Sequence, residues 1–168
     1  GAKRRLEGVV VKTGVLGKDQ LDLIATIKSK RRVKYKGKST IGGKPWRLLN
    51  TASEPAFVEL CATFRLKPAE GPESEEPWEL ETSGPCGFHA DADKKKKQWS
   101  LLVCLRTDQP YTMEISSCVH HTLYEGTKFR RFKMESGTYL VFKSELWHRC
   151  VADRGNRRRI INAQCYKI

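Results

Sequence analysis

The chain has 168 residues, 39 % of them hydrophobic, with four Trp and six Phe; that suits one folded domain with a real core and excludes a disordered chain. No apolar run approaches the ~20 residues that span a bilayer and no signal-peptide pattern opens the chain, so the expectation is an intracellular protein of cytoplasm or nucleus, with no membrane. The net charge of +13 is uneven: residues 67–93 hold eight of the 19 acids and one of the 32 basic residues, which leaves 31 basic against 11 acidic groups elsewhere and favours a polyanionic partner, nucleic acid first, over a solvated basic surface.

In chain order, GVVVK (8–12) predicts a short buried strand. Leu21, Ile24 and Ile27 then fall at helical spacing, which predicts a helix from Lys18 to Lys28. In RRVKYKGK, Val33 and Tyr35 alternate with basic residues, the period of a strand ending at Gly37. STIGGKPW is turn-like. Ser53 is a candidate N-cap and Pro55 a first-turn residue for a second helix, whose stripe is Phe57, Leu60, Cys61 and Phe64. Residues 67–77 read as an acidic loop.

From Trp78 onward no helical period survives. Strands are predicted near 78–82, 86–91, 98–106, 111–118, 129–133, 138–143, 147–151 and 158–166, and so many short strands suggest a sandwich or barrel. The expected organisation is a single domain, 1–168, mainly β with N-terminal helices (α+β): a strand/helix support region over 1–66, the acidic loop 67–77 and a β core over 78–168. The six cysteines (61, 86, 104, 118, 150, 165) form no C-x-x-C pair and read as reduced thiols rather than a disulfide frame. Nothing in the sequence demands more than a monomer.

GFHADADKKKK (87–97) carries the chemistry. His89 and Asp91 are i and i+2, so on a strand an imidazole and a carboxylate share one face and can bind one ion. Alone the pair says little. The C-terminal segment SGTYLVFKSELWHRC offers His148 as a third ligand, and two His plus one carboxylate leave half of an octahedral Fe(II) open. Arg159 follows eleven residues after His148, and a buried Arg can grip a distal carboxylate in a bidentate fork. Strand alternation puts Arg157 and Arg159 on one face and Arg158 on the other; Arg159, followed in phase by Ile161 and Ala163, is chosen as the anchor, with Arg157 in reserve. Asp93 competes with Asp91 only at the strand end. His120 and His121 point to opposite faces of a strand and do not form a metal pair. Lys94–Lys97 would form an electropositive lip beside the ion, or a solvated hairpin tip.

On GFHADAD, SGTYLVFKSELWHRC and RRRIINAQCYKI, the sequence resembles the Fe(II)/2-oxoglutarate-dependent dioxygenases, whose pattern is H-x-D, a distal His and an Arg. The resemblance implies a double-stranded β-helix (jelly-roll or cupin-like) core. It implies Fe(II), 2-oxoglutarate and O2 as the reactants, His89, Asp91 and His148 as metal ligands and Arg159 as the 2-oxoglutarate anchor. The expected activity is oxidation of a macromolecular substrate, with nucleic acid slightly favoured from the charge alone. Two departures stand out: Cys104 occupies the place where prolyl-hydroxylase-like members carry a Tyr, and Cys165 the place where nucleic-acid demethylases carry a second Arg. A prolyl-hydroxylase-like side-chain hydroxylase and a non-catalytic cupin-like nucleic-acid-binding module are the alternatives.

Overall fold

The computed structural model describes residues 4–5, 11–27, 32–34, 46–49, 54–69, 78–91, 97–116, 118–119 and 128–168, with backbone alone at 4–5, 32–34, 46–49, 78–81 and 118–119. The elements in chain order are β1 (Arg4–Arg5), β2 (Lys12–Val15), α1 (Lys18–Thr26), β3 (Arg32–Lys34), β4 (Trp46–Leu49), α2 (Pro55–Thr63), β5 (Leu66–Pro68) and β6 (Trp78–Ser83). Then come β7 (Cys86–His89), β8 (Trp99–Thr107), β9 (Tyr111–Ser116), β10 (Cys118–Val119), β11 (Phe129–Met134), β12 (Thr138–Lys143), β13 (His148–Val151) and β14 (Arg157–Lys167).

Two antiparallel sheets face each other. The minor sheet has the order β11-β9-β13-β7, and the major sheet the order β2-β12-β8-β14-β6-β4-β3, with β5 added on β14. The chain crosses between them repeatedly: β6, β8, β12 and β14 lie in the major sheet, β7, β9, β11 and β13 in the minor one. That winding is the double-stranded β-helix, and the eight strands expected beyond Trp78 are these eight, within a few residues at each end.

The central strands of the major sheet, β8, β12 and β14, are buried on both faces, which governs how their sequence must be interpreted. Towards the minor sheet they send Leu102, Cys104, Leu140, Phe142 and Ile160 into a core shared with Tyr111, Met113, Ile115 and Cys150. Towards the helices they send Leu101, Val103, Val141, Ile161, Ala163 and Cys165 against Phe57, Leu60, Cys61 and Phe64. The α2 stripe therefore packs as expected. Neither face of β8 or β14 alternates apolar with polar, because each meets a core.

Several expected boundaries move. Among the described residues the first strand to pair with the major sheet covers Lys12–Val15, and 8–10 of the expected strand 8–12 lie outside those residues. Helix α2 starts at Pro55 behind Glu54, which makes no side-chain cap bond, and Ser53 lies outside the described residues. Leu66–Pro68 pairs with the end of β14 instead of opening the acidic loop, and Trp46, expected to end a turn, opens a strand, Trp46–Leu49, that pairs with β3 and β6. Gly84 closes the tight β6–β7 turn at φ +69°, a conformation that favours glycine, and so brings its carbonyl to β14.

Candidate metal centre and the polar groups behind it

His148 opens β13 and lies directly across the ladder from His89 at the end of β7. Two residues later the same ladder pairs Cys150 with Cys86, so Gly87 and Phe88 together oppose the single residue Arg149. This β-bulge rephases β7. Phe88 turns outward beneath the Arg149 guanidinium, while Cys86 and His89, three residues apart, both point inward. Asp91 lies just past the strand end rather than within it, pinned by its N–H donating to the Ser144 carbonyl at 2.9 Å.

The three expected ligands converge. Nε2 of His89 and Nε2 of His148 each lie 3.4 Å from the same oxygen, Oδ1 of Asp91. All three ligand atoms fall within 4.8 Å of one another. Two ligands set at right angles on an ion with bonds of ~2.1 Å lie about 3 Å apart, so the spacing fits a small cation. The tautomers fit as well. His89 Nδ1 meets the Gly87 carbonyl at 2.8 Å and His148 Nδ1 the Leu146 carbonyl at 2.9 Å, so each Nδ1–H donates to backbone and each Nε2 lone pair is left for a metal. Phe142 braces His148 edge-on at 4.9 Å.

Charge is concentrated at this point. Burial would raise the Asp91 carboxyl, but the His148 and His89 imidazoles overcome it and hold the group well below the usual carboxylate range. Burial would lower His89, yet the hydrogen bond and charge of Asp91 raise it to about 9. An anionic carboxylate kept dry between two imidazoles is a cation site in its donor chemistry.

Behind Asp91 stands a buried polar network that the sequence reading missed. Ser100 Oγ donates to Asp91 Oδ2 at 2.6 Å and meets Ser144 Oγ at 2.9 Å; Ser144 Oγ in turn donates to Gln164 Oε1 at 2.5 Å. With Oδ2 engaged, Oδ1 is the oxygen presented to the imidazoles.

The anchor expectation needs correction. Arg159 is exposed, as is Arg157; Arg158 is the buried one. The face of β14 that carries Ile161 and Ala163 packs on the helices, whereas Arg158, Ile160 and Gln164 share the face turned to the minor sheet. Arg158 donates to the Gly84 carbonyl at 2.7 Å and to Asn156 Oδ1 at 3.0 Å, with its guanidinium 4.8 Å from the Tyr111 ring centroid. Burial pushes the Tyr111 phenol far above its usual range, and its hydroxyl hydrogen-bonds the Cys104 thiol. A buried Tyr on the next strand therefore lies beside Cys104.

Of the other expected groups, Lys97 is exposed, and Lys94, Lys95, Lys96, Asp93, His120 and His121 lie outside the described residues. Cys61, Cys86, Cys104, Cys150 and Cys165 are free. Among the described residues no helix is long and apolar enough to cross a membrane.

No protein-family model matches the sequence, and no curated protein matches it significantly. Solved structures share the fold. The non-heme α-ketoglutarate-dependent epimerase SnoN of nogalamycin biosynthesis superposes with a TM-score of 0.56 at 13 % identity, over 96 % of this chain and 80 % of its own. A Pseudomonas putida prolyl-4-hydroxylase gives 0.56 at 12 %, over 97 % and 96 %. A 2OG-Fe(II) oxygenase family oxidoreductase from Burkholderia pseudomallei gives 0.53 at 12 %, over 92 % and 85 %. The fold is therefore the double-stranded β-helix that these Fe(II)- and 2-oxoglutarate-dependent oxygenases share, as the sequence resemblance implied.

Proposed function

We propose that the protein is an Fe(II)- and 2-oxoglutarate-dependent oxygenase. The observation that carries this is the convergence of His89, His148 and Asp91 Oδ1 at a partly open strand end, with Arg158 buried on the interior face of the adjoining sheet. His89, Asp91 and His148 would hold Fe(II), which with 2-oxoglutarate and O2 supplies oxidation of a C–H bond, leaving succinate and CO2. The chain's own residues prepare that chemistry. The two backbone carbonyls fix the imidazole tautomers, Ser100 fixes the carboxylate, and Arg158 offers a fork to the far carboxylate of the cosubstrate. Leu102, Met113, Phe142 and Ile160 keep the interior dry, which strengthens each of these contacts.

The substrate we favour is an acidic macromolecule, nucleic acid first. The excess of 31 basic over 11 acidic groups outside residues 67–93 supports it. Exposed Arg106 and Arg159, direct partners across the β8–β14 ladder, add positive charge on the major sheet. The fold shared with a prolyl-4-hydroxylase makes a protein side chain the second reading.

Anaerobic addition of Fe(II) and 2-oxoglutarate should produce a weak visible charge-transfer band, and succinate should accumulate in air when the right pool, DNA, RNA or peptide, is present. Absence of both band and succinate would overturn the proposal in favour of a non-catalytic binding module.

A further inference from the structure

Cys86 and Cys150 are direct partners across the β7–β13 ladder, and their thiols hydrogen-bond to each other. The bulge at Gly87 and Phe88 creates this meeting, because it turns Cys86 inward along with His89. The pair also lies between two groups of polar side chains. Cys86 interacts electrostatically with His89 and His148, and Cys150 with Arg158 and Tyr111. A second pair gives a built-in comparison: Cys61 and Cys165 also hydrogen-bond through their thiols, but both are fully buried in the helix-facing core. Cys150 is buried too, whereas Cys86 is only partly so. One accessible thiol backed by a sheltered one is the arrangement in which a first oxidation at the accessible sulfur is captured by its neighbour.

We infer that Cys86 and Cys150 form a reversible oxidation site for hydroperoxides, lying between the His89/His148 pair and Arg158 on the path of the cosubstrate. The Cys86 thiolate attacks one peroxide oxygen; the O–O bond breaks, and the departing oxygen leaves as water or an alcohol after taking up a proton. The resulting sulfenic acid is attacked by the Cys150 sulfur. The S–O bond breaks, the S–S bond forms, and a second water leaves with the Cys150 proton. The two thiols supply the two electrons that reduce the peroxide. Directly opposed ladder positions lie about 4.5–5.5 Å apart at Cα, within the span a disulfide needs, so the strands can stay in register. The location on the cosubstrate path rests on the oxygenase proposal; the crosslink itself does not.

The experiment treats the intact 168-residue chain, metal-free, with hydrogen peroxide in a chelator and maps crosslinked peptides by mass spectrometry without reductant. A Cys86–Cys150 link is expected, reversed by dithiothreitol, lost in Cys86→Ser and in Cys150→Ser, and retained in Cys61→Ser. A predominant Cys61–Cys165 link, overoxidation of Cys86 without a link, or six unmodified thiols would overturn the inference. Repeating the reaction with Mn(II) and 2-oxoglutarate at about ten times its measured Kd should slow crosslinking about tenfold, as only the empty fraction reacts. An unchanged rate with cosubstrate demonstrably bound would overturn the location. Failure of the reduced protein to bind Mn(II) and 2-oxoglutarate at all would instead count against the oxygenase proposal, leaving the crosslink result to judge the dithiol.

Discussion

Ser100→Ala isolates the contribution of the network behind the metal ligands. The Ser100 hydroxyl donates to Asp91 Oδ2 at 2.6 Å, a short bond to an ionised acceptor that is almost wholly removed from water. A hydrogen bond to a charged group contributes about 1.5–3 kcal/mol, and losing a partner of a metal ligand costs about 10–100-fold in affinity; the two scales agree, since tenfold is about 1.4 kcal/mol. The Asp91 backbone stays tied to Ser144, and Ser144 keeps Gln164, so the loop should hold its place while the carboxylate gains freedom to rotate. Titration of the metal-free protein with Mn(II), followed by calorimetry, should show affinity reduced about 10–100-fold, with an unchanged far-UV circular dichroism spectrum. Affinity within twofold of wild type would refute the idea that Ser100 aims the carboxylate. A collapsed spectrum would show instead that the network holds the fold.

Asp91→Ala removes the single anionic ligand and should abolish Mn(II) binding and succinate formation in a folded protein, checked by the same titration and by circular dichroism. Arg158→Ala should weaken 2-oxoglutarate binding by about 2–5 kcal/mol with metal binding kept, Arg158→Lys should be poor, and Arg159→Ala should be near neutral in the same equilibrium dialysis. Metal affinity should fall with acidity, because the metal must displace the proton that His89 holds up to about pH 9; Mn(II) titrations should show up to about tenfold loss per pH unit below that value. In the metal-free protein the slope is opposite. The folded-state value of about 9 exceeds the ordinary 6.5, so this stabilisation is full below 6.5 and lost as pH rises through about 9, which thermal melts across the window should register. Neutralising Lys94–Lys97 should lower nucleic-acid affinity and flatten its salt dependence, with about one counterion released per phosphate contact, as filter binding at several salt concentrations would show.

The β core was legible because its strands are short and separated by turn chemistry that interrupts any helical period. The ligands were legible because His89 and Asp91 lie two apart and because His148 follows an apolar strand and a short loop. Arg158 was not. The choice of Arg159 assumed that Ile161 and Ala163 marked the interior face of β14. They face the helices instead, in a sheet that packs an apolar cluster on each face, so hydrophobicity could not distinguish inside from outside. The available signal was Gln164, a polar residue in phase with Ile160 that only a polar interior would accept. Ser100 and Ser144 carried less signal, since a serine in an apolar run gives no hint of the carboxylate it will meet. The bulge was illegible for a related reason: Gly87 suggests some irregularity, but the extra residue is fixed only by pairing with β13.

That extra residue is dispensable to the facing of the two inward groups. With Gly87 deleted, Cys86 and the imidazole would stand at i and i+2, and regular alternation would still point both to one face, opposite Cys150 and His148. Phe88 would then be the single residue facing Arg149, and the ladder would run without a bulge. The irregular step therefore acts on the outer side of the strand, where it doubles the residues set against Arg149. A designer could carry the ligands to another jelly roll on a regular strand, provided that the two inward positions kept their cross-strand partners.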